Sequence, residues 1–426
     1  MAPGTRIILL GVKGNSGQRL AVRLYNQAQG LLYRLGRKPS NFLESEEHLL
    51  EAARKATGLD DFGEPDFLPH LRVLLQAYDE EARLTPFGRM LVTQELAGIL
   101  KNRLTIEHAW KREPEILKTS IRRPIFILGL PRSGTTALHH LLAQDPQNQV
   151  LEYWLAAAPG PRPPRSAWEK DPRYKEAVRG LKLMYYLDPS LKAIHLMTAD
   201  GPDECRHLFL QSFLDHTFDH NATIPSYTKW FERQDIGPVY ARHRDILKLI
   251  QSTQPELRWV LKYPAHMRTL RALLDVYPDA CIVQTHREPA RVLPSVCSLV
   301  SGWRSLYEGG VDRHAIGSWQ LQLLSGMLQE AMSVRAAADP AQFFDLHFGE
   351  LVSDPVSAIC RMYEHFGFEL SDEAERTMRA WHSVNPQGKH GGHTYSAEQY
   401  GLSEGEMAEC FASYIDRYEV PSEQPG

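Results

Sequence analysis

A loop of glycine, serine and threonine residues is the first stretch of the chain that could do chemistry. It reads Gly129-Leu130-Pro131-Arg132-Ser133-Gly134-Thr135-Thr136 and lies between a short apolar run and a helix-like segment. Backbone N–H groups in such a turn and at the start of the following helix can bind a phosphate-like anion. Thr135 stands where a triphosphate-binding loop carries lysine, and the cation here is Arg132. The loop therefore predicts an anion site and argues against an ATPase.

Two further apolar runs end in positively charged residues. Residues 259–261 are followed by Lys262, and residues 280–284 lead to Arg287. Such cations can hold anionic oxygens, and the planar guanidinium of arginine can hold two at once. Ligands of parallel sheets bind beyond the carboxyl ends of the strands. We therefore expect these cations and the glycine-bearing loop to contribute to one site.

Four segments, taken in the order in which they occur along the chain, resemble motifs of the PAPS-dependent sulfotransferases. PAPS is 3′-phosphoadenosine 5′-phosphosulfate. The loop is similar to the 5′-phosphosulfate loop of that family, and Arg287 with Ser295 eight positions later is similar to its 3′-phosphate motif. Glu288 stands where the family usually has Asp. The resemblance runs from about residue 124 to the C-terminus and is closest to the bacterial-type sulfotransferases. The other two segments are Leu261-Lys262-Tyr263-Pro264-Ala265-His266 and His390-Gly391-Gly392-His393-Thr394-Tyr395-Ser396.

The resemblance implies which residues bind PAPS and its product, adenosine 3′,5′-bisphosphate. Arg132 would contact the leaving phosphate and the sulfonate, while Arg287 and Ser295 would hold the 3′-phosphate. Amide and hydroxyl donors would come from Ser133, Gly134, Thr135 and Thr136. The C-terminal loop would close over the 3′-phosphate through Lys389, His390 and Gly391. Because a sulfonate bears less charge than a terminal phosphate, we expect no metal.

Transfer of a sulfuryl group to a hydroxyl also needs a base and a cation at the leaving group. In related sulfotransferases a lysine at the position of Lys262 contacts the bridging oxygen or the sulfonate. Several sulfotransferase branches that this chain resembles place a carboxylate at the position of Glu152 as the general base, and burial beside aromatic residues would raise its pKa. We therefore expect Glu152 to be the base, and His266 is the second candidate. In that family Glu204 and His207 border the acceptor site. Their segment is typical of a helix start, so we favour helix capping and packing for them.

The elements that must position these residues form an α/β pattern. Strand, polar turn and helix follow one another repeatedly, which predicts a P-loop-like parallel sheet flanked by helices, the sulfotransferase fold by resemblance. Residues 1–120 have helical spacing and are expected to form a mainly helical N-terminal region packed on the core. Residues 121–426 are expected to form the α/β domain. A helical insertion at about 173–257 would lie on its acceptor side.

Composition limits the class of protein further. The 426 residues are 43% hydrophobic and 23% charged, which is typical of a folded globular chain. A net charge of −4 gives no sign of a nucleic-acid partner or of a bulk anionic-membrane partner, so any anion site must be local. The five cysteines are far apart and predict neither a disulfide framework nor a zinc site. With no run of the roughly 20 apolar residues that a membrane span needs, we expect a cytoplasmic protein.

We therefore expect an enzyme that sulfates a hydroxyl, or with lower preference an amine, of a small or lipid-like acceptor. A P-loop kinase or NTPase is one alternative. A non-catalytic nucleotide-binding protein of the same fold is another. The sequence leaves open the identity of the acceptor and the oligomeric state, a homodimer included.

Overall fold

The computed structural model describes residues 16–37, 39–187, 197–385 and 396–423. Five strands form one sheet: β1 (Ile125–Gly129), β2 (Asn148–Val150), β3 (Arg258–Lys262), β4 (Cys281–His286) and β5 (Phe343–His347). Their order is β2-β3-β1-β4-β5, and all neighbouring strands are parallel. The predicted α/β fold with a parallel sheet is therefore confirmed.

Helices account for most of the remaining described residues. Before the sheet lie α1 (Ser16–Arg34), α2 (Glu46–Thr57), α3 (Phe67–Glu80) and α4 (Pro86–Arg112). Between β1 and β3 lie α5 (Thr135–Leu142), α6 (Tyr153–Ala157), α7 (Pro172–Leu187), α8 (Arg206–Phe209), α9 (Thr217–Asn221), α10 (Pro225–Phe231) and α11 (Gly237–Gln251). After β3 come α12 (Leu270–Val276), α13 (Pro289–Tyr307), α14 (Arg313–Ala337), α15 (Phe348–Ser353), α16 (Pro355–Phe366), α17 (Asp372–Val384) and α18 (Glu404–Tyr418).

The central strands are apolar on both faces because helices cover both faces. Ile125 and Ile127 of β1 pack with Val260 and with side chains of α5 and α16. Phe126 and Leu261 belong to the larger core on the other face. Successive strand residues point to opposite faces. Lys262 therefore points to the same face as Val260, the face covered by α5.

The N-terminal helices share the larger core of the sheet. The start of α4 is capped by Thr85, whose Oγ1 accepts from the Gly88 N–H at 2.9 Å. In the same helix the buried Arg103 donates to the carbonyl of Phe62 at 2.8 Å and to that of Gln211 at 3.0 Å. Burial lowers the pKa of Arg103 to about 10. These bonds join the N-terminal region to the helical segment between β2 and β3.

Candidate active site

The loop after β1 has the backbone geometry of an anion cradle. Gly129 and Gly134 have φ of +142° and +90°, and Arg132 has φ of +70°. A Cβ on Gly129 would lie 2.1 Å from Oγ1 of Thr285, so this position requires glycine. α5 begins directly after Gly134, and the first N–H groups of a helix have no intrahelical acceptor. Those amides can therefore bind an anion at the loop.

The side chains of the loop divide into internal and exposed groups. Ser133 is buried, and its hydroxyl lies 2.6 Å from Oγ1 of Thr285 and 2.5 Å from the carbonyl of Leu130. Ser133 thus fixes the loop to the end of β4. Arg132 and Thr136 are exposed and can contact a ligand.

Lys262 lies beside the loop and binds a carboxylate. It ends β3 with only 3% of its surface exposed. Its Nζ donates to Oε1 of Glu204 at 2.6 Å and lies 3.4 Å from Oγ1 of Thr136. The Cys205 N–H donates to the Lys262 carbonyl at 3.1 Å, which holds the Glu204 segment against the strand. A lysine, a carboxylate and a loop hydroxyl therefore meet at the carboxyl end of β3.

Glu152 lies at the end of β2 but meets a different cation. Its Oε1 accepts from Arg162 at 2.9 Å, and both side chains are buried. Arg162 also donates to the Val150 carbonyl at 2.7 Å. Burial raises the pKa of Glu152, and Arg162 opposes the rise. The direction of this pKa shift agrees with the sequence expectation, but the ion pair with Arg162 gives Glu152 a structural partner.

His266 lies on the opposite face of the sheet from the Lys262 side chain. Its ring is fully buried, packs edge-on against Phe126 at 5.2 Å and bonds Tyr240 Oη through Nδ1 at 2.7 Å. Burial holds the pKa of His266 well below its usual value. The His266 imidazole therefore belongs to the aromatic core. Among the bonds of the described residues, neither predicted base, Glu152 or His266, contacts Lys262. Glu204 does contact it, and sequence reasoning had favoured a capping role for Glu204.

Arg287, at the end of β4, already binds an anionic group. Its Nε and Nη2 donate to the carboxylate of Glu423 at 2.9 and 2.8 Å, and its Nη1 donates to the Arg132 carbonyl at 2.8 Å. Arg291 donates to the carbonyl of Glu423 at 2.7 Å. Phe348 stacks under the Arg287 guanidinium at 3.9 Å. The C-terminal segment (residues 419–423) thus lines a cavity of about 400 Å³ at the predicted 3′-phosphate motif.

The other residues that were predicted to bind the cofactor lie in different environments. Ser295 is buried in the first half of α13, the helix that follows Arg287. Thr135 is buried and Gly134 partly buried at the start of α5. Lys389, His390 and Gly391 lie outside the described residues. Arg291 and Glu423 are residues that the sequence did not single out. A signal for Arg291 existed, since it lies one helical turn after Arg287.

The described ranges contain neither a metal-binding cluster nor a membrane-spanning helix. No group of three or more His, Cys, Asp or Glu side chains there is arranged to hold a metal ion. No helix in those ranges combines the length and the apolar composition needed to cross a bilayer.

Comparisons with known proteins agree on one family. The model of the sulfotransferase family matches residues 124–372. Omega-hydroxy-beta-dihydromenaquinone-9 sulfotransferase Stf3 of Mycobacterium bovis is 23% identical over 318 residues, which cover 69% of this chain and 74% of that protein.

Solved structures agree as well. Sulfotransferase STF1 from Mycobacterium tuberculosis matches with a TM-score of 0.80 and 39% identity, covering 88% of this chain and 100% of that one. Sulfotransferase STF9 from Mycobacterium avium matches with a TM-score of 0.83 and 27% identity, covering 89% of this chain and 98% of that one.

Proposed function

Because this chain belongs to the sulfotransferase family, we propose that it transfers a sulfuryl group from PAPS to a hydroxyl of a lipid-like acceptor. The observation that carries the proposal is the contact between Lys262 and Glu204 beside Thr136 of the loop. Cation, carboxylate and anion cradle are the three parts that such a transfer needs. All three lie at the carboxyl end of the sheet, where ligands of parallel sheets bind.

The residues present fit PAPS. Glu423 is an anionic stand-in, since its carboxylate takes two hydrogen bonds from the Arg287 fork in the way a phosphate would. Arg287 and Arg291 would hold the 3′-phosphate after that carboxylate leaves. Arg132 and the first amides of α5 would hold the 5′-phosphosulfate. PAPS, when bound, would supply the sulfuryl group: the bond between sulfur and the bridging oxygen would break, and that oxygen would remain on the 5′-phosphate of adenosine 3′,5′-bisphosphate.

Lys262 would support the leaving group. Its Nζ is buried beside Thr136, so a negative charge that develops at the loop meets a cation with little solvent screening. Transfer of its hydrogen bond from Glu204 to the sulfonate would release that carboxylate. Lys262 would then act on the leaving group, and Glu204 would act on the attacking hydroxyl of the acceptor.

We propose Glu204 as the base, in preference to Glu152 and His266. A base must come within hydrogen-bond reach of the hydroxyl that it deprotonates. Glu204 contacts Lys262 and keeps part of its side chain exposed, so an acceptor can reach it. Glu152 is held by the buried Arg162, and His266 is enclosed by aromatic rings. The Glu204 carboxylate would take the hydroxyl proton as the oxygen bonds to sulfur.

The proposed acceptor class follows from a relative. The M. bovis relative is named for sulfation of an omega-hydroxylated menaquinone, a lipid with a long apolar chain and one hydroxyl at its end. Because the hydroxyl stands at the end of the chain, only that end has to reach Glu204, and a narrow opening is sufficient for it. We therefore take a hydroxylated isoprenoid quinone as the first acceptor to test.

The test is a transfer assay with purified protein in detergent micelles. We expect PAPS and an omega-hydroxylated prenyl quinone to give a product heavier by one SO3, detected by mass spectrometry, with equimolar adenosine 3′,5′-bisphosphate. The matched control is the same quinone without the terminal hydroxyl, which should give no product. Turnover of Mg-ATP with none of PAPS would contradict the proposal.

A further inference from the structure

Helix α1 turns its most apolar row of side chains away from the protein. Leu24, Leu31 and Leu35 are spaced seven and four residues apart and so lie on one side of the helical segment. Their exposed fractions are 54%, 58% and 70%. Ala28 lies in the same row and is exposed. Single exposed leucines are ordinary in proteins, but an aligned row of them is not.

The opposite side of α1 faces the protein although it is less apolar. Asn26, Gln29 and Tyr33 are partly buried there. The Asn26 side chain accepts a hydrogen bond from the Phe87 N–H at 2.8 Å, which anchors the helix to the start of α4. Tyr25 also packs edge-on against Phe87, with ring centroids 6.1 Å apart. The helix therefore docks through mixed polar and aromatic contacts and leaves its leucine row to solvent, whereas an ordinary surface helix buries its most apolar row.

Positive charge accompanies this row. The first 43 residues contain seven Lys and Arg and no Asp or Glu, in a chain that has 48 basic and 52 acidic residues overall. Arg23 and Arg34 are exposed and lie along one flank of the row, and Arg37 is exposed just beyond the helix. An apolar row flanked by arginine is typical of helices that lie in the interface of an anionic membrane.

Helix α7, which packs against α1, also exposes apolar and basic side chains. Leu183 and Tyr186 are 57% and 60% exposed near its C-terminal end. Lys175, Arg179 and Lys182 are exposed on the same helix. Tyrosine with its apolar ring and polar tip suits the boundary between lipid and water.

The end of α7 is also connected to the candidate active site. Tyr185 Oη accepts from the Met197 N–H at 2.6 Å and donates to the Met197 carbonyl at 3.1 Å. Met197 begins the described segment that leads to Glu204. The exposed residues of α7 thus lie on the element that precedes the proposed base.

We propose that α1 and α7 form a docking surface for an anionic lipid bilayer, which we call the α1–α7 surface (Leu24, Leu31, Leu35, Leu183, Tyr186 and the flanking Arg23 and Arg34). Apolar side chains enter the headgroup region, and the basic residues bind lipid phosphates. Two copies of this surface facing each other would bring basic residues against basic residues, which disfavours a second copy as the occupant. Delivery of a membrane-borne acceptor from this surface to Glu204 rests on the proposed function, whereas bilayer binding itself does not.

Sedimentation with lipid vesicles tests the proposal on the full chain. We expect binding to vesicles of phosphatidylglycerol and phosphatidylcholine, and weak binding to phosphatidylcholine alone. Raising the salt from about 0.1 M to about 1 M shortens the Debye length from about 10 Å to about 3 Å and should release the protein. Leu31→Ser with Leu35→Ser should weaken binding about tenfold or more, and so should Arg23→Gln with Arg34→Gln.

The matched control is Val384→Ser, which truncates an exposed apolar side chain on α17, a helix that packs against α5. It should bind vesicles like the wild type, and circular dichroism should show that all variants are folded. Absence of vesicle binding, or equal binding by the wild type and both double variants, would overturn the proposal. So would a concentration-dependent dimer in sedimentation velocity that the leucine variant abolishes. Failure of the sulfuryl transfer assay with vesicle binding intact would instead count against the proposed function.

Discussion

Lys262 is the residue at which the candidate site is most fully assembled. In the structure its ammonium group binds Glu204 at 2.6 Å, and in the proposed reaction it exchanges this carboxylate for sulfonate oxygens. The two states of Lys262 would couple the binding of the sulfonate to the release of Glu204. Lys262 and Glu204 would thus hold each other in position until the sulfonate binds.

Replacing Glu204 by Gln should remove the base and keep the shape of the site. We expect kcat for sulfuryl transfer to fall roughly 10²- to 10⁴-fold, the range typical of a lost general base. Affinity for adenosine 3′,5′-bisphosphate should stay close to that of the wild type, since Arg287 and the loop are untouched. Steady-state transfer assays and calorimetric titration measure the two quantities.

Glu152→Gln is the matched comparison. It also removes one carboxylate, but it leaves Arg162 buried without its charge partner. Breaking a buried pair costs about 3 kcal/mol or more, so thermal stability should fall while the folded fraction turns over within about tenfold of the wild type. A Glu152→Gln protein with normal stability and abolished transfer, beside an active Glu204→Gln protein, would return the base to Glu152.

For single residues of the site, the sequence could predict the positively charged side chains better than the base. Lys262 directly follows an apolar run and Arg287 comes shortly after another, and the structure puts both at the carboxyl ends of central strands. Glu204 is 58 positions before Lys262 in the chain and has no local signal beyond an acidic pair. Only the tertiary fold brings its carboxylate to the strand end.

The elements that form the site are held together by short contacts at strand ends. The loop after β1 is bonded to β4 through Ser133 and Thr285 at 2.6 Å. Glu288 accepts from the Glu423 N–H at 2.7 Å and so orients the C-terminal segment. The loop and the predicted 3′-phosphate motif therefore lie side by side at the carboxyl ends of β1 and β4.

Two strands could not be recognised from the sequence. β2 is three residues long and begins with Asn148 and Gln149, so it lacks an apolar run. Only Phe343 and Leu346 of β5 are buried, because the strand lies at the edge of the sheet, and its sequence includes the exposed Asp345. The three central strands are buried on both faces and were recognisable for that reason.

The C-terminal segment should compete with the cofactor. Glu423→Gln removes the carboxylate that binds the Arg287 fork, so adenosine 3′,5′-bisphosphate should bind about two- to fivefold more tightly, given that partly exposed ion pairs contribute under about 1 kcal/mol. Calorimetric titration measures the change. The control is Glu409→Gln on the exposed side of α18, which should bind like the wild type. Weaker binding by Glu423→Gln would mean that Glu423 assists the cofactor.

The whole molecule brings together two segments that we propose as anion sites and that are far apart in the chain. The loop begins at residue 129 and the arginine of the predicted 3′-phosphate motif is residue 287, yet Arg287 donates to the Arg132 carbonyl at 2.8 Å. β1 and β4 are neighbours in the sheet, which explains this contact. A ligand with phosphates at both ends, such as PAPS, matches this arrangement better than a nucleotide with a single phosphate group.

Calorimetric titration with adenosine 3′,5′-bisphosphate tests the central claim most directly because it needs no knowledge of the acceptor. The account predicts binding that depends on the 3′-phosphate, with 5′-AMP and Mg-ATP bound more weakly. Arg287→Ala should weaken this binding at least about tenfold, since it removes a charge-assisted pair of hydrogen bonds. Equal affinity for 5′-AMP, a preference for Mg-ATP, or an Arg287→Ala protein that binds like the wild type would contradict it.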